Sequence, residues 1–259
     1  MGHQKSQQRS RKPSSSEKRR RQTRTLFIVG TPIGCPDDLT LRARTILGQV
    51  AIVASETPLD TRALLDYHGI AATITIYGRG DEEKIAILLD RLNAGHDIAL
   101  VSDSGMPVIY DPGRLLIAAA RASGHRVTVV PGPSAVTAAA ALSGESADRL
   151  LFIGRLPRSV RQLDQFFREI TCEAGITVMF APPSVLLRIL ERIRHILPDR
   201  TITLAVNITK AGEQLYQGKA GDLLDQATSI PKDSVVTLVL SGARKGRIDA
   251  TYCRRIITR

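Results

Sequence analysis

From Thr25 onward the chain alternates short runs of β-branched and aliphatic residues with longer stretches whose apolar positions recur at helical spacing. That alternation is the signature of a parallel sheet with crossover helices. In the first half it predicts strands at Thr25–Val29, Ile52–Ala54, Thr73–Tyr77, Ile98–Val101 and Arg126–Val130. Helices are expected near Thr40–Leu47, Leu59–His68, Glu82–Ala94 and Gly113–Ser123, with Gly69, Gly95 and Gly124 at helix ends, where a left-handed cap suits glycine. A further helix, Ala135–Leu142, is opened by Ser134. The pattern then changes to strands at Leu151–Ile153, Thr177–Phe180, Thr201–Val206, Gln214–Gln217 and Val235–Leu240, with helices at Val160–Ile170, Pro183–Ile196 and Ala220–Gln226. The fold class is therefore α/β. A five-stranded, mostly parallel, doubly wound layer spans 25–146 and a second, mixed α/β unit spans 147–243, with the boundary near Gly144–Asp148.

Charge changes this picture at the two ends only. Of the net charge of +11, residues 1–24 carry +8 and residues 244–259 carry +5, which leaves −2 for residues 25–243. The first 24 residues are almost devoid of apolar side chains and are expected to be a disordered basic tail, because they cannot bury enough surface to offset the entropy of ordering. The C-terminal stretch is a second basic tail. No run approaches the ~18 apolar residues a bilayer span requires, so a soluble, cytoplasmic protein is expected, with no membrane partner. Cys35, Cys172 and Cys253 are far apart and odd in number, which argues against a disulfide framework and against a metal site.

Candidate chemistry sits in three strand-to-helix bends. Gly30-Thr31-Pro32-Ile33-Gly34 follows the first strand, Ser102-Asp103-Ser104-Gly105-Met106-Pro107 the fourth, and Pro131-Gly132-Pro133-Ser134-Ala135 the fifth. Ligands of open α/β sheets bind beyond the carboxyl ends of the strands. Glycine allows close backbone approach and proline fixes local geometry, so such bends can present N–H and C=O groups to a flat polar ligand. Each bend alone reads equally as a plain turn; three at one sheet end point to a site. The first lacks the G-x-G-x-x-G spacing, and Pro32 removes an N–H that a pyrophosphate would use. No P-loop is present, so a nucleoside-type ligand without a phosphate chain fits better.

Read in order, Thr31-Pro32-Ile33-Gly34, Asp38-Leu39-Thr40-Leu41-Arg42-Ala43, Ser102-Asp103-Ser104-Gly105, Asp111-Pro112-Gly113, Pro131-Gly132-Pro133-Ser134-Ala135 and Phe152-Ile153-Gly154-Arg155-Leu156-Pro157-Arg158 resemble the tetrapyrrole methylase superfamily. Within it they are most similar to the small-subunit ribosomal RNA (cytidine 2′-O)-methyltransferase branch, over about Leu26 to Gly242. The resemblance implies a two-domain, usually dimeric enzyme holding S-adenosylmethionine between its domains. It places Pro32, Ser102, Asp103, Gly105, Met106, Ser134 and Ala135 in the cofactor loops, and Phe152 and Gly154 in the segment closing the cleft. RNA of the small ribosomal subunit is the implied partner.

Elsewhere the chain departs from that branch. Ser55-Glu56-Thr57-Pro58-Leu59-Asp60 replaces an Ala-Glu-Asp-Thr-Arg-His type run, keeping only the glutamate, and Gly78-Arg79-Gly80-Asp81 replaces a His-Glu-His-Asn type run. Ala181-Pro182-Pro183-Ser184-Val185 stands for Glu-Ser-Pro-His-Arg, and Asn207-Ile208-Thr209-Lys210 for Glu-Leu-Thr-Lys. A ribose hydroxyl is weakly acidic and calls for a base or electrostatic partner. Glu56, Asp103, Lys210 and Glu213 are the candidates, with Glu56 and Lys210 put forward as catalytic, although a helix cap or surface charge explains each as well. His68, His96, His125 and His195 lack partners at useful spacing and read as structural. The expected activity is S-adenosylmethionine-dependent methylation of small-subunit ribosomal RNA at a ribose 2′-oxygen. Methylation of another acceptor, such as a small heterocycle, and cofactor binding without catalysis stay open.

Overall fold

The computed structural model describes residues 24–78 and 80–243. Both predicted tails, apart from Arg24, and Arg79 of the altered run lie outside the described residues. Arg24 is already at the sheet, since Arg126 N–H donates to its carbonyl at 3.0 Å.

The first sheet contains β1 (Thr25–Val29), β2 (Ile52–Ser55), β3 (Thr73–Ile76), β4 (Ile98–Leu100) and β5 (Arg126–Val130), ordered β3-β2-β4-β1-β5. Every pairing in it is parallel. Alternate strand residues feed two cores, as a period of two requires. Val29, Val53, Ala99 and Val130 face α1 (Leu41–Gln49) and α2 (Pro58–Tyr67), where Ala43, Leu47 and Leu65 are buried. Leu26, Ala54, Ile98 and Leu100 face α3 (Glu82–Asn93) and α4 (Arg114–Ala122), which contribute Leu88, Leu92, Leu116 and Ala120. Gly69, Gly95 and Gly124 take positive φ at the helix ends, as their sequence positions suggest. Thr40 caps α1 and Asp81 caps α3, each accepting an N–H from the first turn.

The second sheet is mixed and holds β6 (Leu150–Ile153), β7 (Ile176–Phe180), β8 (Thr201–Val206), β9 (Gln214–Lys219) and β10 (Val236–Leu240), ordered β6-β7-β10-β8-β9. Only β6 and β7 pair in parallel; the other ladders are antiparallel. One face is covered by α6 (Val160–Glu169), α7 (Pro183–Ile196) and α8 (Leu224–Ser229) around Leu163, Phe167, Leu186, Leu190, Leu204 and Leu238. The other face receives α5 (Ala135–Ser143), whose Val136, Ala139 and Ala140 lie against Ile176, Val178, Ala205 and Val239. Alanines let this helix settle close to the sheet. Ile33 from the bend after β1 joins the same cluster, which ties the two sheets together.

Three details differ from the sequence reading. β9 runs on to Lys219 because it pairs with β8 along its full length. α8 begins at Leu224, not Ala220, since Asp222 folds back to accept the Lys219 N–H and closes a turn first. Cys172 is disulfide-bonded while Cys35 is free, against the expectation from cysteine spacing; a bridge needs only that the fold bring two thiols together, which spacing along the chain does not report. Among the described residues no group of His, Cys, Asp or Glu is arranged to hold a metal ion, and no helix is long and apolar enough to cross a membrane.

Candidate functional site

The strand order creates the site. After β1 the chain leaves to one side for β2 and β3, then returns to place β4 directly beside β1 and β5 on its other flank. The bends leaving β4, β1 and β5 are thereby brought side by side at the carboxyl rim, at a reversal of winding where α/β sheets open a crevice. Thr31 and Gly105 form an antiparallel bridge, with Thr31 N–H donating to Gly105 O at 2.9 Å and Gly105 N–H to Thr31 O at 3.2 Å. The buried Thr31 hydroxyl donates to Ser102 O at 3.0 Å, and the Ser102 hydroxyl to Gly105 O at 3.1 Å. Gly105 itself has φ of 82°, a conformation glycine adopts without steric cost. On the other flank Gly30 and Gly132 are in backbone contact: a Cβ on Gly30 would lie 2.7 Å from Gly132 Cα and 2.6 Å from Met106 Sδ. All three bends therefore meet.

The second sheet contributes the opposite wall. Cys35 N–H donates to Thr209 Oγ1 at 3.0 Å, and Gly34 is pressed against Thr209 and Lys210. Asn207 and Thr209 have φ of 54° and 62°, and Val108 and Tyr110 in the long β4–α4 connection have 76° and 73°. Left-handed backbone at β-branched and aromatic residues costs about 1–2 kcal/mol each and gathers at functional sites. Asn207 is held by two bonds to Val235, its Oδ1 and its N–H both engaged, and Thr209 N–H donates to Glu213 Oε2 at 2.6 Å. Tyr110 stands edge-on to Phe180, which in turn meets Phe152. Gly154 leaves room for the Tyr110 ring, since a Cβ there would lie 2.5 Å from Tyr110 Cδ2.

The sequence profile of the tetrapyrrole (corrin/porphyrin) methylases matches residues 25–224. The chain belongs to that family. The chain is similar to ribosomal RNA small subunit methyltransferase I of Thermotoga maritima, 35% identical over 218 residues, or 84% of this chain and 98% of that protein. The protein of the same name from Escherichia coli O157:H7 is 35% identical over 201 residues, covering 77% of this chain and 70% of its own. Among solved structures, a cobalt precorrin-4 methyltransferase of cobalamin biosynthesis superposes with a TM-score of 0.66 at 18% identity, covering 84% of this chain and 94% of that one. A uroporphyrin-III C-methyltransferase from Thermus thermophilus, complexed with S-adenyl homocysteine, superposes with a TM-score of 0.60 at 16% identity, covering 84% and 92%. Those two likenesses concern the fold.

Within this chain the predicted site residues divide in two. Pro32 and Ser102 are buried in the bends, Gly105 bridges them, and Met106 lies against Gly30. Ser134 is the N-cap residue of α5 by position, but its hydroxyl makes no cap bond and stays available at the rim beside Ala135. Asp103 is exposed and already engaged, accepting from Thr57 Oγ1 at 2.7 Å and Thr57 N–H at 3.2 Å. It therefore joins the β4 bend to the start of α2. Phe152 and Gly154 face the Tyr110–Phe180 pair. Glu56 is exposed at the end of β2 and Lys210 is exposed in the turn against Gly34, and among the described residues no ion pair joins them. His68 and His125 are structural, with Nε2 atoms 2.9 Å from Pro36 O and 3.2 Å from Asn93 Oδ1. Tyr110 went unnoticed in the sequence, and Thr57 and Phe180 stood there only as parts of an altered run and of a strand. Only the unusual length of the stretch between β4 and α4 hinted at the first.

Proposed function

We propose that this chain transfers a methyl group from S-adenosylmethionine to a ribose 2′-hydroxyl of small-subunit ribosomal RNA. The observation that carries the reading is the meeting of three glycine- and proline-bearing bends at the winding reversal of the parallel sheet. Such a rim suits an adenosyl ligand. Half-exposed backbone edges at Gly132 to Ala135, the unbonded Ser134 hydroxyl and the first-turn N–H groups of α5 offer donors and acceptors to a nucleoside and a carboxylate. The structural relative complexed with S-adenyl homocysteine supports a donor of that class, and the relatives named as ribosomal RNA methyltransferases support the acceptor.

Bound S-adenosylmethionine would supply an electrophilic sulfonium methyl group. The contribution of the chain is alignment, because holding acceptor and donor in near-attack geometry removes much of the entropic barrier. Residues we assign to the cofactor are Pro32, Ser102, Asp103, Gly105, Met106, Ser134 and Ala135, with Phe152 and Gly154 on the closing wall. Glu56 and Lys210 are assigned to the acceptor side, where the hydroxyl proton must leave as the new C–O bond forms and the C–S bond breaks. We further assign a homodimer acting in the cytoplasm, and a division into units 25–146 and 147–243 flanked by basic tails at 1–24 and 244–259. The test is incubation of the purified protein with labelled S-adenosylmethionine and small ribosomal subunits from a methylase-deficient strain. Label at one nucleotide is the expected result. Retention of cofactor binding with no label in RNA would overturn the reading in favour of another acceptor or a noncatalytic role.

A further inference from the structure

Beside the bends lies a cavity of about 520 Å³ whose walls include Tyr110, Arg155, Arg158, Phe180 and Arg188. Three of its lining side chains are guanidinium groups and none is a carboxylate. Like charges converging on one hollow repel each other and are stabilised only by an anion or by water between them. The N-terminus of α7 adds to the positive field, since Ser184 and Val185 of its first turn are also in the wall. Arg188 lies one turn further along the same helix. Its Nε atom is buried and has no hydrogen-bond partner, a state that costs free energy unless a ligand completes it. Among the described residues neither Arg158 nor Arg188 has an acidic partner.

The remaining wall is aromatic. Arg155 Nε donates to Tyr110 Oη at 2.9 Å, and its guanidinium lies over the Tyr110 ring at 5.6 Å from the centroid. The ring in turn stands edge-on to Phe180 at 5.8 Å. The backbone of Tyr110 is kept in the left-handed region to place that ring, at a conformational cost the surrounding packing must offset. Position also matters: Tyr110 lies four residues beyond Met106 of the β4 bend, and Gly154 of the closing wall lines the hollow. The cavity thus opens next to the cofactor rim.

We infer that this cavity is the anchoring site for one nucleotide of the RNA substrate, with a phosphodiester between Arg158 and Arg188 and its base against the Tyr110–Phe180 wall; this rests on the RNA reading above and specifies how that substrate is held. Guanidinium forks match phosphate oxygens two at a time, and aromatic faces beside them hold unstacked bases in RNA sites. An anionic carboxylate would satisfy the arginines equally. The aromatic wall and a sequence with +8 and +5 tails favour a nucleic acid.

The test uses the full chain carrying Arg158→Gln or Arg188→Gln, with small ribosomal subunits as acceptor. Each variant should raise the KM for subunits by about tenfold, the worth of one charged hydrogen-bond pair, while kcat stays within about twofold. The slope of log affinity against log salt should fall by about 0.7 for each phosphate that is no longer neutralised. S-adenosylmethionine affinity, measured by calorimetry, should be unchanged, and Arg188→Lys should restore part of the salt slope. If the wild type methylates subunits and both variants keep its KM and salt slope, the cavity is not the anchor. If the wild type binds S-adenosylmethionine yet neither binds nor methylates subunits, the RNA reading itself has failed and this site assignment fails with it. Should Arg188→Gln lose cofactor binding through misfolding, the more exposed Arg158→Gln decides.

Discussion

Gly132 has no freedom to carry a side chain. A Cβ at this position would sit 2.8 Å from the backbone of Gly30, well inside van der Waals distance, and both partners are main chain that cannot swing aside. Gly132→Ala is expected to push the β1 and β5 bends apart, costing about 1–3 kcal/mol of stability through overpacking and weakening S-adenosylmethionine binding at least tenfold. Gly48 provides the opposite case within the same molecule. It lies in α1 with nothing within 4 Å of the added methyl, so Gly48→Ala should raise stability by up to about 1 kcal/mol and leave cofactor affinity alone. Thermal melts and calorimetry on both proteins compare the two directly; equal behaviour would mean the bends do not touch. Glycines at 30, 105 and 132 could be picked out as residues that permit tight turns. That two of them touch each other required coordinates, because nothing in a local turn signal names its partner across the sheet.

At the scale of elements, Arg200 shows how a charged side chain can hold backbone in place. It is 7% exposed at the start of β8 and donates to the carbonyls of Ile170, Thr171 and Glu173 and to that of Ser241. Burial lowers its pKa and Glu173 opposes that shift, yet a guanidinium remains charged at neutral pH. Its role is to tie the 3₁₀ turn Ile170–Cys172 at the end of α6 to the end of β10: Ile170 O and Glu173 O already accept the Glu173 and Ala243 N–H groups, and the guanidinium adds a charged donor to each and reaches Thr171 O. Arg200→Gln is expected to destabilise the protein by about 3 kcal/mol, read as a shift in denaturant midpoint, with cofactor affinity unaffected. A shift within error would make these bonds energetically idle. The placement of α5 was less legible than its existence. Its sequence reads as a plain apolar helix following the fifth strand, and the pattern contains no hint that it would cover the second sheet rather than the first. An alanine-rich helix is apolar on all sides, so periodicity cannot say which surface it will meet.

For the whole molecule the distribution of charge is the dominant feature. Residues 1–23 carry eight Lys or Arg against Glu17, while the body between the tails is close to neutral. Removing residues 1–23 should leave the melting temperature unchanged to within about a degree and flatten the salt dependence of RNA binding, which filter binding measures across a salt series. A fall of many degrees would show that this segment is part of the folded body. Whatever depends on neighbours along the chain could be read before any fold was known: strands and helices from the apolar period, glycine stops at 69, 95 and 124, a helix opened at Ser134, and three glycine- and proline-bearing bends, the first unsuited to pyrophosphate. Motif order also carried the family. Only the packed chain could say which bends lie side by side and touch, through the order β3-β2-β4-β1-β5, and only packing brought Tyr110, Arg155, Arg158 and Arg188 around one cavity from three separate stretches of chain. One cause accounts for the divide. Backbone preference and periodicity act over a few residues, whereas a site is made by surfaces that meet only after the chain has been packed into layers.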